Sequence, residues 1–149
     1  MDYQTIKKDM GRYYSGDIEG KFWFGVQSSA DGTFFGGKHD YIDSEGEVVD
    51  EGDDEEACEI YHHFDKEDLK EVHEKIQECL NALGEYHEKL EQFFEENNGY
   101  NDDQLASYLE VSVEKTRQLL EWYARLGLGL KIENCISEKV ECNFQAEFY

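Results

Sequence analysis

The sequence predicts an α+β fold: a small antiparallel sheet, made of an N-terminal hairpin and a C-terminal strand, packed against two or three long helices. Three patterns predict it. Val140, Cys142, Phe144, Ala146 and Phe148 alternate with Glu141, Asn143, Gln145, Glu147 and Tyr149, the period of a strand buried on one face. Leu69, Val72, Ile76, Cys79, Leu80, Leu83, Tyr86, Leu90, Phe93 and Phe94 follow at three- and four-residue steps, the period of a helix with one apolar stripe. Aromatic residues alternate within Lys21–Gln27, as suits a pleated surface. With 149 residues and a 39% hydrophobic share, the chain has the length and apolar content of one compact domain, so 1–149 is expected to fold as a unit.

Taken in order, Gly11, Gly16 and Gly20 punctuate a Tyr-rich lead-in over Arg12 to Glu19, expected as loop or short strand. Phe22, Phe24 and Val26 then alternate with Trp23, Gly25 and Gln27. Asp31-Gly32 supplies a turn, and Thr33-Phe34-Phe35 is expected to return as the partner strand of a hairpin. Residues 43–58 form an acidic run, expected as a solvated, mobile loop, and Glu59–Phe64 is a third strand candidate. Asp65 has the character of an N-cap, with Asp68 three residues on and further acids near the positive end of the helix dipole. Because the apolar stripe continues past Gly84, one helix of about thirty residues, or two nearly collinear ones, is expected before an Asn97-Asn98-Gly99 cap. A second helical region runs from Asp102 to Ile132, with Leu105, Leu109, Val113, Leu119, Leu120, Tyr123 and Leu126 inward. The 140–148 strand then needs the hairpin or the 59–64 strand as a neighbour.

Charge is the main functional clue. The chain carries Asp+Glu 36 against Lys+Arg 14, a formal net charge of −22. Residues 1–39 are neutral, with five acids and five bases, whereas residues 40–100 hold twenty-two acids against four lysines. Such an excess opposes direct binding to nucleic acid or anionic membrane, since phosphate affinity comes from Lys and Arg displacing counterions. No apolar run approaches the ~18–20 residues needed to cross a bilayer, and the start, MDYQTIKKDMGRYY, lacks the apolar segment of a secretory signal. A cytoplasmic protein is expected. Cys58, Cys79, Cys135 and Cys142 form no C-x-x-C pair and are expected as thiols, mostly buried.

Local motifs point to no catalysis. The stretch from Gln104 to Leu120 resembles helix-turn-helix spacing, with Ala106, a Val111-Ser112 turn, Thr116 and Leu119. Glu110 stands where that motif usually has Gly, and the second helix offers only Lys115 and Arg117 beside Glu114 and Glu121. A packing corner is therefore expected, without DNA reading. Cys58, His62, His63, His73 and His87 lie in one segment but match no metal-ligand spacing, and His62 and His63 should face opposite sides of a strand. An EF-hand started at Asp43 fails, with Val48 where Gly is needed and Asp54 where the bidentate Glu belongs. No phosphate-binding loop, nucleophile elbow or zincin motif occurs. No enzyme activity, cofactor or metal is expected.

An acidic surface can instead imitate the phosphate field of a nucleic acid and occupy a basic groove. Asp43, Glu45, Glu47, Asp50, Glu51, Asp53, Asp54, Glu55 and Glu56 in the run, and Glu71, Glu74, Glu78, Glu85 and Glu88 on the helix, are the candidate partner-binding residues. Over residues 65–96 the helix would present one net charge per ~7 Å against one per ~1.7 Å for duplex DNA. Glu71 with Lys75 and Glu85 with Lys89 are also spaced to pair internally. The helix alone is thus too sparse, and the loop would have to act with it. Trp23 or Tyr61 could anchor the contact.

The segment GRYYSGDIEGKFWFGVQSS, residues 11–29, resembles the opening of a group of small viral and phage-related proteins. Glu121–Leu126 and Glu141–Phe144 are similar to later segments of that group. Starts at Met-Gly-Arg-Tyr-Tyr in that group imply that residues 1–9, before Met10, are an extension. No activity comes with the group, so the resemblance carries no site residue to this chain. The viral origin that it implies favours an inhibitor of host defence, of the anti-CRISPR kind, and the acidic surface then predicts binding to a basic nucleic-acid-handling protein such as a defence nuclease. The alternative expectation is an assembly module, a homodimer for instance, that self-associates through the long helix and keeps its acids for solubility.

Overall fold

The computed structural model describes residues 13–23, 26–49 and 57–147. Among them the strands form one six-stranded antiparallel sheet in the order β2-β1-β6-β5-β3-β4. The strands are β1 (Tyr13–Gly16), β2 (Gly20–Lys21), β3 (Lys38–Asp43), β4 (Val48–Val49), β5 (Ala57–Asp65) and β6 (Glu141–Glu147). Four helices are α1 (Leu69–Leu83), α2 (Tyr86–Glu96), α3 (Asp102–Leu109) and α4 (Val113–Lys139). The α+β class is as the sequence predicts, and the C-terminal strand takes the expected 59–64 strand, within β5, on one side and β1, from the Tyr-rich lead-in rather than the expected hairpin, on the other.

Period-two alternation decides which face is covered. Ile60, His62 and Phe64 of β5 and Cys142, Phe144 and Ala146 of β6 point to the helix side and are buried, whereas Tyr61 and Asn143 point away and are exposed. The Phe64 and Phe144 rings stack 6.2 Å apart, and Tyr14 closes on the edge of Phe144 at 5.9 Å. Onto this face α1 sets Val72, Ile76, Cys79 and Leu83, and α4 sets Leu119, Leu120, Leu128, Ile132 and Ile136. Each buried side chain of this size contributes about 1.5–3 kcal/mol relative to exposure.

The N-terminal hairpin differs from expectation. Among the described residues, Lys21 pairs only with Tyr13, and Phe22, Trp23, Val26, Gln27 and Thr33–Phe35 are in no strand; Asp31–Phe35 is a 3-10 turn, and Phe24 and Gly25 lie outside the described residues. Side chains here take over the bonds a ladder would have used. Gln27 accepts from the Trp23 N–H (3.2 Å) and donates to the Ala124 carbonyl (3.4 Å), while the Thr33 hydroxyl donates to the Ala30 carbonyl (2.8 Å). Phe22 and Phe35 are buried without a sheet around them. The hairpins that do form are β1–β2 and β3–β4. The second is built by Asp43, whose carboxylate accepts from the N–H groups of Glu45 and Glu47 (2.9 Å each), with Gly46 at φ 84. The acidic run is therefore not a loop throughout, since Val48 and Val49 pair with β3 and residues from Ala57 onward belong to β5.

Of the one helix or two expected over residues 65–96, two form. Gly84, at φ 54, ends α1, and α2 restarts at Tyr86. A stripe can continue across such a break because only the spacing of its apolar residues is conserved by periodicity, and a glycine tolerates the positive φ that stops the helix. Asp65 caps as expected: its carboxylate accepts from Glu67 N–H and Asp68 reaches back to Asp65 N–H (2.9 Å each). The corner at Glu110, in the left-handed region at φ 60, separates α3 from α4, where Ser112 caps by accepting from Lys115 N–H (3.1 Å). Thr116 is fully buried there, so the motif serves packing.

Two glycines of α4 behave oppositely. At Gly127 an added Cβ meets nothing within 4 Å, whereas at Gly129 it would lie 2.6 Å from Phe35 Cζ and 3.1 Å from Ile76 Cγ1. Gly127→Ala is expected to raise unfolding free energy by up to ~1 kcal/mol through helix propensity. Gly129→Ala is expected to lose about 1–3 kcal/mol through overpacking. Urea denaturation of both variants checks this, and a gain at both positions would contradict the packing.

Candidate functional site

The acids singled out in the sequence fall into separate groups. Glu45 and Glu47 are exposed on the β3–β4 turn, at the edge of the sheet, and Asp43 is half-buried because its carboxylate holds that turn. Asp50, Glu51, Asp53, Asp54, Glu55 and Glu56 lie outside the described residues. Glu71, Glu74 and Glu78 are exposed on α1, and Glu88 is exposed on α2, with Glu85 just before it. Helical geometry puts Glu71, Glu74 and Glu78 on one ridge, since steps of three and four return to the same face. With Glu67 and two lysines they line a shallow open groove.

Internal neutralisation differs from the expected pairs. Lys75 bridges Glu78 (3.6 Å) and lies over the Phe34 ring (5.0 Å), so it leaves Glu71 alone. Lys89 lies over the Tyr86 ring (5.4 Å) rather than beside Glu85. Aromatic faces compete for an ammonium as well as exposed carboxylates do, because an exposed ion pair is worth only about 0–1 kcal/mol. Among the described residues, Glu71, Glu74, Glu85 and Glu88 make no ion pair. All four residues are exposed, and the Glu71 carboxylate lies against Gly36.

The buried titratable groups are tied to the turn at Asp31–Phe35. Asp31 is 7% exposed, and the Arg125 Nε donates to its Oδ1 at 3.4 Å. Burial pushes the Asp31 carboxyl up from its ordinary value, and the Arg125 charge opposes that rise. The same guanidinium lies over Phe34 (4.9 Å) and Trp122 (4.7 Å). Burial also raises the Cys79 thiol to about 11 and lifts that of Cys142, so both stay protonated at neutral pH and neither is a poised nucleophile. All four cysteines are free thiols, three of them buried, as the sequence implied.

His62 and His63 do face opposite sides of β5. His63 meets Asn143 and lies 3.9 Å from both Asp65 and Glu141 on the open face. His62 is 2% exposed, stacked on Phe144 at 4.7 Å and pressed against Gly32, where an added Cβ would come within 2.7 Å of its ring. Neither ring nitrogen has a hydrogen-bond partner among the described residues. Among those residues, no three His, Cys, Asp or Glu side chains converge as a metal-ligand set.

An aromatic cluster with one carboxylate, marked by no local motif, lies between α2, α4 and Trp23. Trp23 packs edge-on against Phe94 (5.6 Å) and Tyr123 (6.0 Å), Tyr123 stacks on Phe94 (5.8 Å), and Tyr100 flanks Trp23 at 6.3 Å. Glu91 accepts from the Tyr123 hydroxyl and lies 3.3 Å from His87 Nε2. Burial, and then the Glu91 charge, push the Tyr123 phenol up to about 12. The cluster joins three segments distant in sequence, so only the high aromatic share, 14%, signalled it. Tyr61, the other anchor candidate, is 46% exposed on the open sheet face.

No protein-family model matches the chain, and no curated protein or solved structure is significantly similar to it. Among the described residues no helix is long and apolar enough to cross a membrane.

His62 gives the fold a definite pH response. Burial, reinforced by the nearby His39, depresses its imidazole from 6.5 to about 4. Between those values the unfolded chain binds more protons, so this residue's contribution is intact above pH 6.5 and is lost as pH falls toward 4. The loss amounts to about 3 kcal/mol. Carboxylate protonation acts alike in wild type and His62→Phe, so the difference in their denaturation free energies between pH 7 and 4 isolates the imidazole. Parallel pH profiles would contradict a buried neutral His62.

Proposed function

We infer that this chain is an acidic, non-enzymatic interaction protein that binds a basic nucleic-acid-handling partner and blocks it sterically and electrostatically. The observation that carries the reading is the unpaired acid set on α1 and α2: Glu71, Glu74, Glu85 and Glu88 project from helices whose opposite faces are locked into the core. A charge array on a rigid support loses little conformational entropy when a partner arrives. On the α1 ridge, Glu71, Glu74 and Glu78 present about one carboxylate per 5 Å of axis. One strand of duplex DNA advances ~3.4 Å per phosphate, so the ridge is a coarser array than a strand. The magnitudes favour electrostatic steering with steric occlusion over close imitation of a duplex.

A viral inhibitor directed at a host defence nuclease fits this chemistry, and it agrees with the resemblance of residues 11–29 to viral and phage-related proteins. For the assembly reading, the apolar stripe of the long helical region offers no surface, because it is spent inside the fold. Val72, Ile76, Cys79, Leu83, Leu90 and Phe93 are all buried against the protein's own sheet and helices.

Affinity capture from the host at low salt, eluted with a salt gradient, tests the reading. The expected partner is a nucleic-acid-binding protein whose nucleic-acid binding is competed by this chain. Replacing Glu71, Glu74, Glu85 and Glu88 together by Gln is expected to weaken that complex at least tenfold at low salt and to flatten its salt dependence. Binding that is unchanged from low to high salt contradicts the reading. Self-association that survives the four replacements, measured by sizing in solution, would favour an assembly role.

A further inference from the structure

A recess of about 150 Å³ lies between α2, α4 and the chain at Trp23. Its walls are the Trp23 and Tyr123 rings, set 80° to each other, and Glu91 stands at its rim. The recess opens past Gly127, where among the described residues no side chain or other segment comes within 4 Å of an added Cβ, and Leu130, 46% exposed, forms the far wall. The Tyr123 hydroxyl and His87 Nε2 approach the carboxylate, and a carboxylate has about four acceptor positions, so it can still take a further donor.

Aromatic faces attract cations, and a nearby carboxylate adds charge and hydrogen bonds. Guanidinium suits such a site better than ammonium, because its plane can lie on a ring while its edge donates to the carboxylate. The protein contains the arrangement already. Arg125, two residues along α4 from Tyr123, lies over Phe34 and Trp122 at 4.9 and 4.7 Å and donates to Asp31. In the recess the aromatic wall and the carboxylate are present; among the described residues no Lys or Arg lines it, and the imidazole of His87 approaches Glu91 at 3.3 Å.

We propose that this recess receives an arginine side chain of the basic partner, its guanidinium against the Trp23 and Tyr123 rings and hydrogen-bonded to Glu91. The inference rests on the reading above that the partner is basic, and it adds the anchor. The acid ridge would supply long-range attraction and the recess a fixed register, a division in which rim charges govern approach and a central pocket governs retention.

The test uses blocked tetra-arginine, tetra-lysine and N-acetyl-arginine amide as probes, titrated into the whole chain while the Trp23 indole and Tyr123 ring resonances are followed. Tetra-arginine is expected to shift both resonances and to bind at least several-fold more tightly than tetra-lysine. Gly127→Leu, which fills the mouth of the recess without a clash at Cβ, is expected to weaken tetra-arginine at least tenfold, with circular dichroism and melting verifying the fold. Glu91→Gln should weaken it severalfold, whereas Glu74→Gln with Glu78→Gln should change chiefly the salt dependence. Equal binding of the arginine and lysine peptides, or undiminished binding by Gly127→Leu, would overturn the proposal. So would shifts confined to α1, or single arginine amide binding as tightly as the peptide, which would assign the recess to a small free cation. If Gly127→Leu still captures and inhibits the partner as wild type does, the anchor is wrong and the acidic-inhibitor reading stands. If wild type captures no nucleic-acid-binding protein, that reading falls whatever the peptides show.

Discussion

The contact between Phe35 and Gly129 is the constraint on which the rest of the structure depends. Phe35 is fully buried, and α4 can come down on it only because position 129 carries no side chain. That approach seats the Asp31–Phe35 turn between α1, α4 and the sheet. From there Asp31 reaches Arg125, Gly32 covers His62, and Phe34 receives both Arg125 and Lys75. A single missing methyl group thus fixes the level of the longest helix over the sheet, and with it the position of Tyr123 against Trp23 and Phe94. Close packing transmits such a constraint because the interior has few voids in which a shift could be absorbed.

The fold was legible where periodicity had one interpretation. Cys142, Phe144 and Ala146 alternate with polar residues, and only a strand buried on one side satisfies that pattern. The apolar stripes of α1, α2 and α4 were equally plain. Periodicity was misleading within Lys21–Gln27, where aromatic alternation suggested a strand but Phe22 is buried, the neighbouring Trp23 packs on Phe94 and Tyr123, and Gln27 accepts from the Trp23 N–H. It was silent at Gly84, because a stripe in register says nothing of whether the backbone between its members is helical. The β3–β4 hairpin was masked by acidity: Asp43, Glu45 and Glu47 read as mutually repelling charges, yet Asp43 spends its carboxylate closing the turn.

The site was legible in part for the same reason. Exposure of Glu71, Glu74 and Glu78 follows from their opposition to the apolar stripe, so their placement needed no tertiary information. Their electrostatic freedom did need it, since the spacing of Glu71 to Lys75 suggested a pair, and Phe34, brought in from a distant turn, holds Lys75 instead. The recess around Glu91 is wholly tertiary. Trp23, Glu91 and Tyr123 come from three segments, and nothing local to any of them marks a pocket. A sheet with one face sealed by helices thereby carries its functional candidates on the outer helix surface, while the polar open face, with Tyr61 and Gln145, stands apart from them.

The central claim is that the partner meets the acidic outer surface of α1 and α2 and the adjoining part of α4. Hydrogen–deuterium exchange of the chain, alone and in complex with the captured partner, tests it most directly. The account predicts added protection over residues 71–91 and 123–130, with little change in β6. Protection confined to the open sheet face around Tyr61 and Gln145, with α1 and α2 exchanging as in the free chain, would contradict it.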